Sequence, residues 1–235
     1  KGKIRLNMPV FEAYGMTVNE IENLTLLLLE VTSKVEHAVQ QAIQATFSHD
    51  VPLAQKIIDA DDEIDATEIL IEEECLKILA LYQPVAGDLR KVITILKVNN
   101  EIERVGDLAV NIAERVFDMV SYGENMVEKL DFEEMTGKAC GMLKKSLDSL
   151  TYRDTAIAAE VISLDDEVDK LHHDAYLFVR EKMLQHPNQS GYYLDCLTIS
   201  RCLERIADIA TNISEDVIYM EQGIIVRHLH EGGTK

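Results

Sequence analysis

An internal repeat constrains this chain more than any other feature of its sequence. Asp61-Asp62-Glu63-Ile64-Asp65 returns as Asp165-Asp166-Glu167-Val168-Asp169, about 100 residues later. Ile102-Glu103-Arg104-Val105-Gly106-Asp107 returns as Leu203-Glu204-Arg205-Ile206-Ala207-Asp208 at nearly the same offset. Because two motifs recur in the same order at similar spacing, duplication of one structural unit explains them better than chance.

Each copy is expected to form three helices. The chain has 235 residues, with only 11 glycines and 4 prolines, and residues that favour helices dominate it. Helix-breaking residues predict helices over 17–48, 52–81 and 88–122, and then over 131–150, 154–184 and 192–222. The expected fold is therefore all-α: two tandem, pseudo-twofold-related three-helix bundles of six long helices, with the repeats at 17–122 and 131–223.

The last helix of each copy carries an unbroken apolar seam with alternating three- and four-residue spacing. In the first copy it reads Ile95, Val98, Ile102, Val105, Ala109, Ile112 and Val116. In the second copy it reads Cys196, Ile199, Leu203, Ile206, Ala210, Ile213 and Val217. Such spacing predicts that both helices pack side by side with their neighbours.

The charge and the apolar runs limit the possible partners. The net charge of −19 argues against nucleic acid, whose phosphates require a basic surface, and favours cations or basic proteins. The uncharged apolar run 24–29 is too short to span a membrane, and no signal segment opens the chain, so a soluble, intracellular protein is expected. The four cysteines form no Cys-x-x-Cys pair and are expected to be buried free thiols.

Acidic stripes run along two helices of each copy, because positions four apart share one helix face. In the first copy they are Asp61, Asp65, Glu68, Glu72 and Glu103, Asp107, Asn111, Glu114. In the second copy they are Asp165, Asp169, His172, Tyr176 and Glu204, Asp208, Asn212, Glu215. A run of charge is commonly just a solvated face. These stripes, however, contain no lysine to relieve repulsion, and apolar residues border them.

Partly desolvated carboxylates need a counter-charge, and a bound cation is a natural one. Oxygen-rich clusters suit magnesium, calcium, manganese or iron, and zinc when a histidine or water completes the site. His172 is either such a ligand or an ordinary packing residue. The unequal composition of the stripes predicts two metal sites that differ in affinity.

Enzyme motifs are absent from the sequence. The acidic helices supply no Glu-x-x-His pair of a di-iron oxidase, and there is no His-Glu-x-x-His, phosphate-binding loop or Gly-x-Ser-x-Gly. A glycosidase cleft would need more aromatic residues than this chain has, since it lacks tryptophan. The protein is expected not to be an enzyme, and an oxygen-activating metalloenzyme on a helical bundle is kept as an alternative hypothesis.

The repeated Glu-x-x-x-Asp signature resembles that of the PhoU family, the phosphate-regulon accessory proteins. The likeness continues through Gln83-Pro84-Val85-Ala86-Gly87-Asp88-Leu89-Arg90, where Asp88 is also expected to be a helix N-cap. This resemblance implies a non-enzymatic, often dimeric cytoplasmic protein that binds iron, zinc or nickel. It further implies partners: the ATPase subunit of a phosphate ABC transporter at the inner face of the membrane, and a sensor histidine kinase.

The resemblance also implies a set of metal ligands. They are Asp61, Asp65, Glu103 and Asp107 in the first copy and Asp165, Asp169, Glu204 and Asp208 in the second. Supporting positions are Asn111, Glu114, Asn212 and Glu215. Leu108 and Ile209 stand where many relatives have histidine, which makes nitrogen-preferring ions less expected. Because residues 1–16 do not match the usual start of the family, the regulatory domain of a larger sodium–phosphate transporter is an alternative hypothesis.

Overall fold

The computed structural model describes residues 10–122 and 130–226, with side chains from residue 18 onward. The elements are α1 (Val10–Ser48), α2 (Val51–Tyr82), α3 (Ala86–Ser121), α4 (Glu133–Tyr152), α5 (Thr155–Ile162), α6 (Asp165–Gln185) and α7 (Ser190–Gln222), with a 3₁₀ turn at Pro187–Gln189. The all-α expectation is confirmed, and the described ranges contain no strand. Residues 1–9, on which the transporter-domain alternative partly depends, lie outside the described residues.

The helix predicted over 154–184 is interrupted and forms α5 and α6. At the break, the Ser163 hydroxyl donates to the carbonyl oxygen of Glu160 at 2.7 Å. The amide of Leu164 donates to the carbonyl of Val161 at 3.0 Å, which is the tighter 3₁₀ pattern. A serine hydroxyl that competes for helix carbonyls favours such a break. α6 therefore begins at Asp165, so this acidic segment lies in its first turn, where the helix dipole favours negative charge.

Two of the inter-helix turns explain where helices begin. Asp50 caps α2 by accepting from the amide of Leu53 at 3.0 Å. Asp88, expected to be an N-cap, instead lies in the first turn of α3, and Val85 occupies the cap position. The reason is that Gln83 and Ala86 adopt positive φ angles of 48°, which starts the helix earlier than the pattern predicts.

α3 and α7 form the centre of the molecule and pack against each other. α1 and α2 pack on α3, while α4, α5 and α6 pack on α7. Every residue of the two predicted seams is buried, which confirms the packing prediction. An equivalent ion pair joins the outer helices of each half: Lys34 to Glu63 and Lys138 to Glu167.

Two buried aspartates hold the ends of the α3–α7 contact. Asp216 pairs with Lys97 at 2.9 Å. Asp195 pairs with Arg115 at 3.5 Å and accepts a hydrogen bond from the Tyr122 hydroxyl at 3.0 Å. Because a buried carboxylate is costly without partners, these contacts favour one register of α3 against α7. None of the helices in the described ranges is both long and apolar enough to cross a membrane.

Candidate metal centre

The second repeat brings three predicted ligands close together. Asp169 on α6 and Glu204 and Asp208 on α7 each offer a carboxylate oxygen, and these three oxygens all lie within 4.8 Å of one another. Oxygen ligands bind Mg²⁺, Zn²⁺ or Ca²⁺ at about 2.0–2.6 Å, so one ion between the helices could contact all three. The donor set therefore fits a cation.

The electrostatics of this cluster point the same way. Burial, and then Glu204, Asp165 and Asp169, raise the pKa of Asp208 to about 7, while Arg205 opposes the shift. Burial and Asp169 likewise raise the pKa of Asp165, against a hydrogen bond that the Thr211 hydroxyl donates to it at 3.3 Å. Repelling carboxylates at the edge of a packed helix pair are in an arrangement that a cation would relieve.

The first repeat shows the same coupling in a looser arrangement. Burial, Asp65 and Asp107 raise the pKa of Asp61 to about 6. Burial raises the pKa values of Glu103 and Asp107 too, with Asp107 and Asp65 respectively as the next largest causes. Over residues 18–122 and 130–226, however, three ligand oxygens meet the 4.8 Å spacing only in the second repeat. An ion in the first repeat would thus require side-chain rotation.

The remaining predicted residues lie around these clusters. Asn111 and Asn212 line a groove between α3 and α7. Glu114 pairs with its neighbour Arg115 at 3.2 Å, and Glu215 is half-buried farther along α7. His172 is half-buried, and its Nδ1 lies 2.9 Å from the Ser200 hydroxyl, so this nitrogen already has a partner.

A buried polar residue beneath each acidic stripe was not predicted. Asn99 donates to the backbone carbonyl of Glu68 at 2.9 Å and lies 3.4 Å from its carboxylate. Ser200 occupies the equivalent position in the second repeat, beside His172. The sequence does place Asn99 and Ser200 at equivalent positions, each four residues before the motif glutamate of its repeat, and this spacing could have singled them out. Asn99 thus joins α3 to the backbone of α2, and Ser200 joins α7 to the His172 side chain of α6.

Two departures from the family pattern have structural explanations. Leu108 and Ile209 are both buried, at 8% and 7% exposure, and apolar side chains there offer no ligand. Donors in the clusters are thus carboxylates, which favour hard or borderline cations. At Gly106 an added Cβ would lie 3.5 Å from Asp61 Oδ1, which is ordinary contact, so the alanine at 207 in the other repeat is compatible with the same packing.

Comparison with known proteins gives a consistent result. The family model described as "PhoU domain" matches residues 28–116 and 132–217. A phosphate-specific transport system accessory protein PhoU homolog of Pseudomonas aeruginosa is 34% identical over 89% of this chain and 87% of its own. One from Aquifex aeolicus is 35% identical over 90% of this chain and 95% of its own.

Solved structures agree with the sequence matches. The crystal structure of PhoU from Pseudomonas aeruginosa superposes with a TM-score of 0.84 at 33% identity, covering 88% of this chain and 99% of that one. The phosphate transport system regulatory protein PhoU from Streptococcus pneumoniae gives a TM-score of 0.77 at 28% identity, with 89% and 99% covered. This chain belongs to the PhoU family.

Proposed function

We propose that this chain is a non-enzymatic, metal-binding regulator of phosphate uptake and of phosphate-starvation signalling. Its relatives are named accessory proteins of a phosphate-specific transport system, which supports a role in regulating transport rather than in catalysis. The observation that carries the metal-binding part is the group of three oxygens from Asp169, Glu204 and Asp208.

The clusters would hold a divalent or trivalent ion through their carboxylates. Asp169, Glu204 and Asp208 would ligate it in the second repeat, with Asp165 beside them, and Asp61, Asp65, Glu103 and Asp107 would do so in the first. Iron and zinc are the foremost candidates, and nickel, magnesium, manganese and calcium are also considered. A bound ion would supply positive charge that offsets the repulsion between α6 and α7, and between α2 and α3.

In this proposal the protein works as an adaptor in the cytoplasm. Its partners are the ATPase subunit of the phosphate ABC transporter and a sensor histidine kinase, and a homodimer associates peripherally with the inner face of the membrane. The strongly acidic surface would meet basic surfaces on those partners and not nucleic acid. The family relationship supports this role, since the relatives are named for a transport system.

Metal binding is tested by isothermal titration of chelator-treated protein with Mn²⁺, Zn²⁺ and Fe²⁺. The test variant is Asp169→Asn/Asp208→Asn. The control is Asp174→Asn, which removes one charge from an exposed α6 residue outside the cluster. We expect saturable binding to the wild type and to the control, and a loss of at least one site in the double variant. Equal binding to all three proteins would refute the assignment of these ligands.

The adaptor role is tested by co-purification with the transporter ATPase subunit, with and without metal. We expect the ATPase subunit to be retained, and to a greater extent when metal is bound. No retention under either condition would refute the adaptor role and leave the metal result intact.

A further inference from the structure

A groove with a volume of 410 Å³ lies between α3 and α7 and contains equivalent residues from both repeats. Its polar lining consists of three matched pairs, Arg104 and Arg205, Asp107 and Asp208, and Asn111 and Asn212, together with Glu101, whose counterpart in the second repeat is Cys202. The buried side chains of Leu108 and Ile209 also line it. The metal clusters lie at its two sides, because Asp107 and Asp208 belong both to the clusters and to the groove.

The side chains of Arg104 and Arg205 are exposed and make few contacts within the protein itself. Among the residues that the structure describes, Arg104 makes one ion pair, to Glu101 at 3.4 Å within its own helix, and its side chain is 64% exposed. Arg205 is exposed and makes no ion pair with any other residue of the described ranges. Arginine stands at the equivalent position of both motifs, as do the acidic residues Glu103 and Glu204, and Asp107 and Asp208.

The guanidinium groups of the groove suit one class of ligand. Arginine presents several N–H donors in a planar fork that matches the oxygens of phosphate and related anions. Asn111 and Asn212 also line the groove, each about 10 Å along its helix from the arginine of its repeat. The pair of arginines beside an apolar floor is therefore the part suited to a small tetrahedral oxyanion.

The aspartates decide when an anion can enter. With bare carboxylates, Asp107, Asp208 and Glu101 place three negative charges in the groove, which outweigh the two arginines and repel an anion. If Asp107 and Asp208 ligate cations, their charge is neutralised, and the two arginines then outweigh the remaining charge of Glu101. The chain's net charge of −19 adds to the repulsion that an approaching anion meets.

We propose that the α3–α7 groove binds a tetrahedral oxyanion of the phosphate class between Arg104 and Arg205, and that neutralisation of Asp107 and Asp208 by metal admits it. The metal-dependent half rests on the proposed function. The groove itself can be tested without any metal, because asparagine removes the same charges.

The test measures binding of inorganic phosphate at low salt and about pH 8 by equilibrium dialysis. Asp107→Asn/Asp208→Asn, free of metal, is expected to bind phosphate about tenfold more tightly than metal-free wild type, since the repulsion by two carboxylates is removed; tenfold corresponds to about 1.4 kcal/mol. Adding Arg104→Gln/Arg205→Gln should abolish that gain. Adding Arg201→Gln, an exposed arginine one turn before Arg205, should not. Circular dichroism confirms that each variant is folded.

The outcomes separate the two proposals. If the neutral variant shows no gain, or if Arg104→Gln/Arg205→Gln leaves the gain intact, the oxyanion site is wrong whatever the metal result. If the neutral variant binds phosphate while Mn²⁺-loaded wild type does not, the link to metal is wrong. If the wild type binds no metal at all, the proposed function fails and the groove stands. If sulfate binds as tightly as phosphate, the groove is a site for dianionic oxyanions in general. If phosphate binds more tightly than sulfate, the groove is a site for phosphate.

Discussion

Replacing Asp208 with asparagine is expected to stabilise the metal-free protein while weakening metal binding. Burial and the neighbouring carboxylates raise the pKa of Asp208 from 3.8 to about 7. The folded state thus holds this proton more tightly than the unfolded chain. The resulting stabilisation is complete at low pH and is lost as the pH rises from about 4 to about 7.

The magnitude follows from that pKa difference. About three pKa units correspond to about 4 kcal/mol between the two charge states. Asp208 is exposed, so water screens much of the repulsion, and about 1–2 kcal/mol is the realistic gain from Asp208→Asn above pH 7. For a chain of this size that raises the melting temperature by about 2–6 °C.

The assay is thermal unfolding in chelator, followed by circular dichroism at about pH 8 and about pH 5.5. Asp174→Asn on α6 removes the same formal charge from an exposed position and serves as the control. The advantage of Asp208→Asn over that control should be largest at about pH 8 and roughly halved at about pH 5.5, where the folded wild-type carboxyl is mostly protonated while the unfolded one is still ionised. An Asp208→Asn protein no more stable than the control at pH 8, or an advantage that grows on acidification, would refute the reasoning.

Three further predictions concern the parts of the fold that hold the clusters in place. Lys97→Met removes the ion pair to buried Asp216 and should lower the free energy of unfolding in urea by about 2 kcal/mol. Lys144→Met, at an exposed position, should leave it nearly unchanged. Equal effects would contradict the role of the Lys97–Asp216 pair. Gly191→Ala places a Cβ 2.7 Å from the Tyr122 hydroxyl and should destabilise the protein by about 1–2 kcal/mol. Gly137→Ala, with open space around it in α4, should stabilise the protein by up to about 1 kcal/mol. The reverse order of melting temperatures would contradict the packing. Burial raises the pKa of Cys75 and Cys196 to about 12 and of Cys140 and Cys202 to about 11. Three of these thiols are buried and Cys140, contrary to expectation, is only half-buried, so iodoacetamide at about pH 8 should label Cys140 slowly and the other three only after unfolding. Rapid labelling of Cys75, Cys196 or Cys202 in the native protein would contradict their burial.

The helical seams could be predicted from sequence because apolar periodicity along one helix is a local property. Val105 and Ile206 are buried as the spacing requires. The division of the fifth predicted helix was missed, since a serine inside an otherwise helical pattern does not by itself indicate a break. The local hydrogen bonds of Ser163 and Leu164 produce it.

The candidate site was only partly predictable for a different reason. Placing Glu204 and Asp208 on one face needs the sequence alone, but bringing Asp169 within reach of them depends on how α6 packs on α7. The groove between α3 and α7 depends on the register of those helices, which the buried aspartates Asp195 and Asp216 help to fix. No single-helix pattern reveals that Arg104 and Arg205 share a groove.

The most direct test of the central claim is to locate the metal. Crystals soaked in Mn²⁺ or Zn²⁺ and measured at the absorption edge of the metal give an anomalous difference map of its position. The account predicts a peak between α6 and α7, within coordination distance of the carboxylates of Asp169, Glu204 and Asp208. A fully soaked crystal with no anomalous peak at either acidic cluster would contradict it.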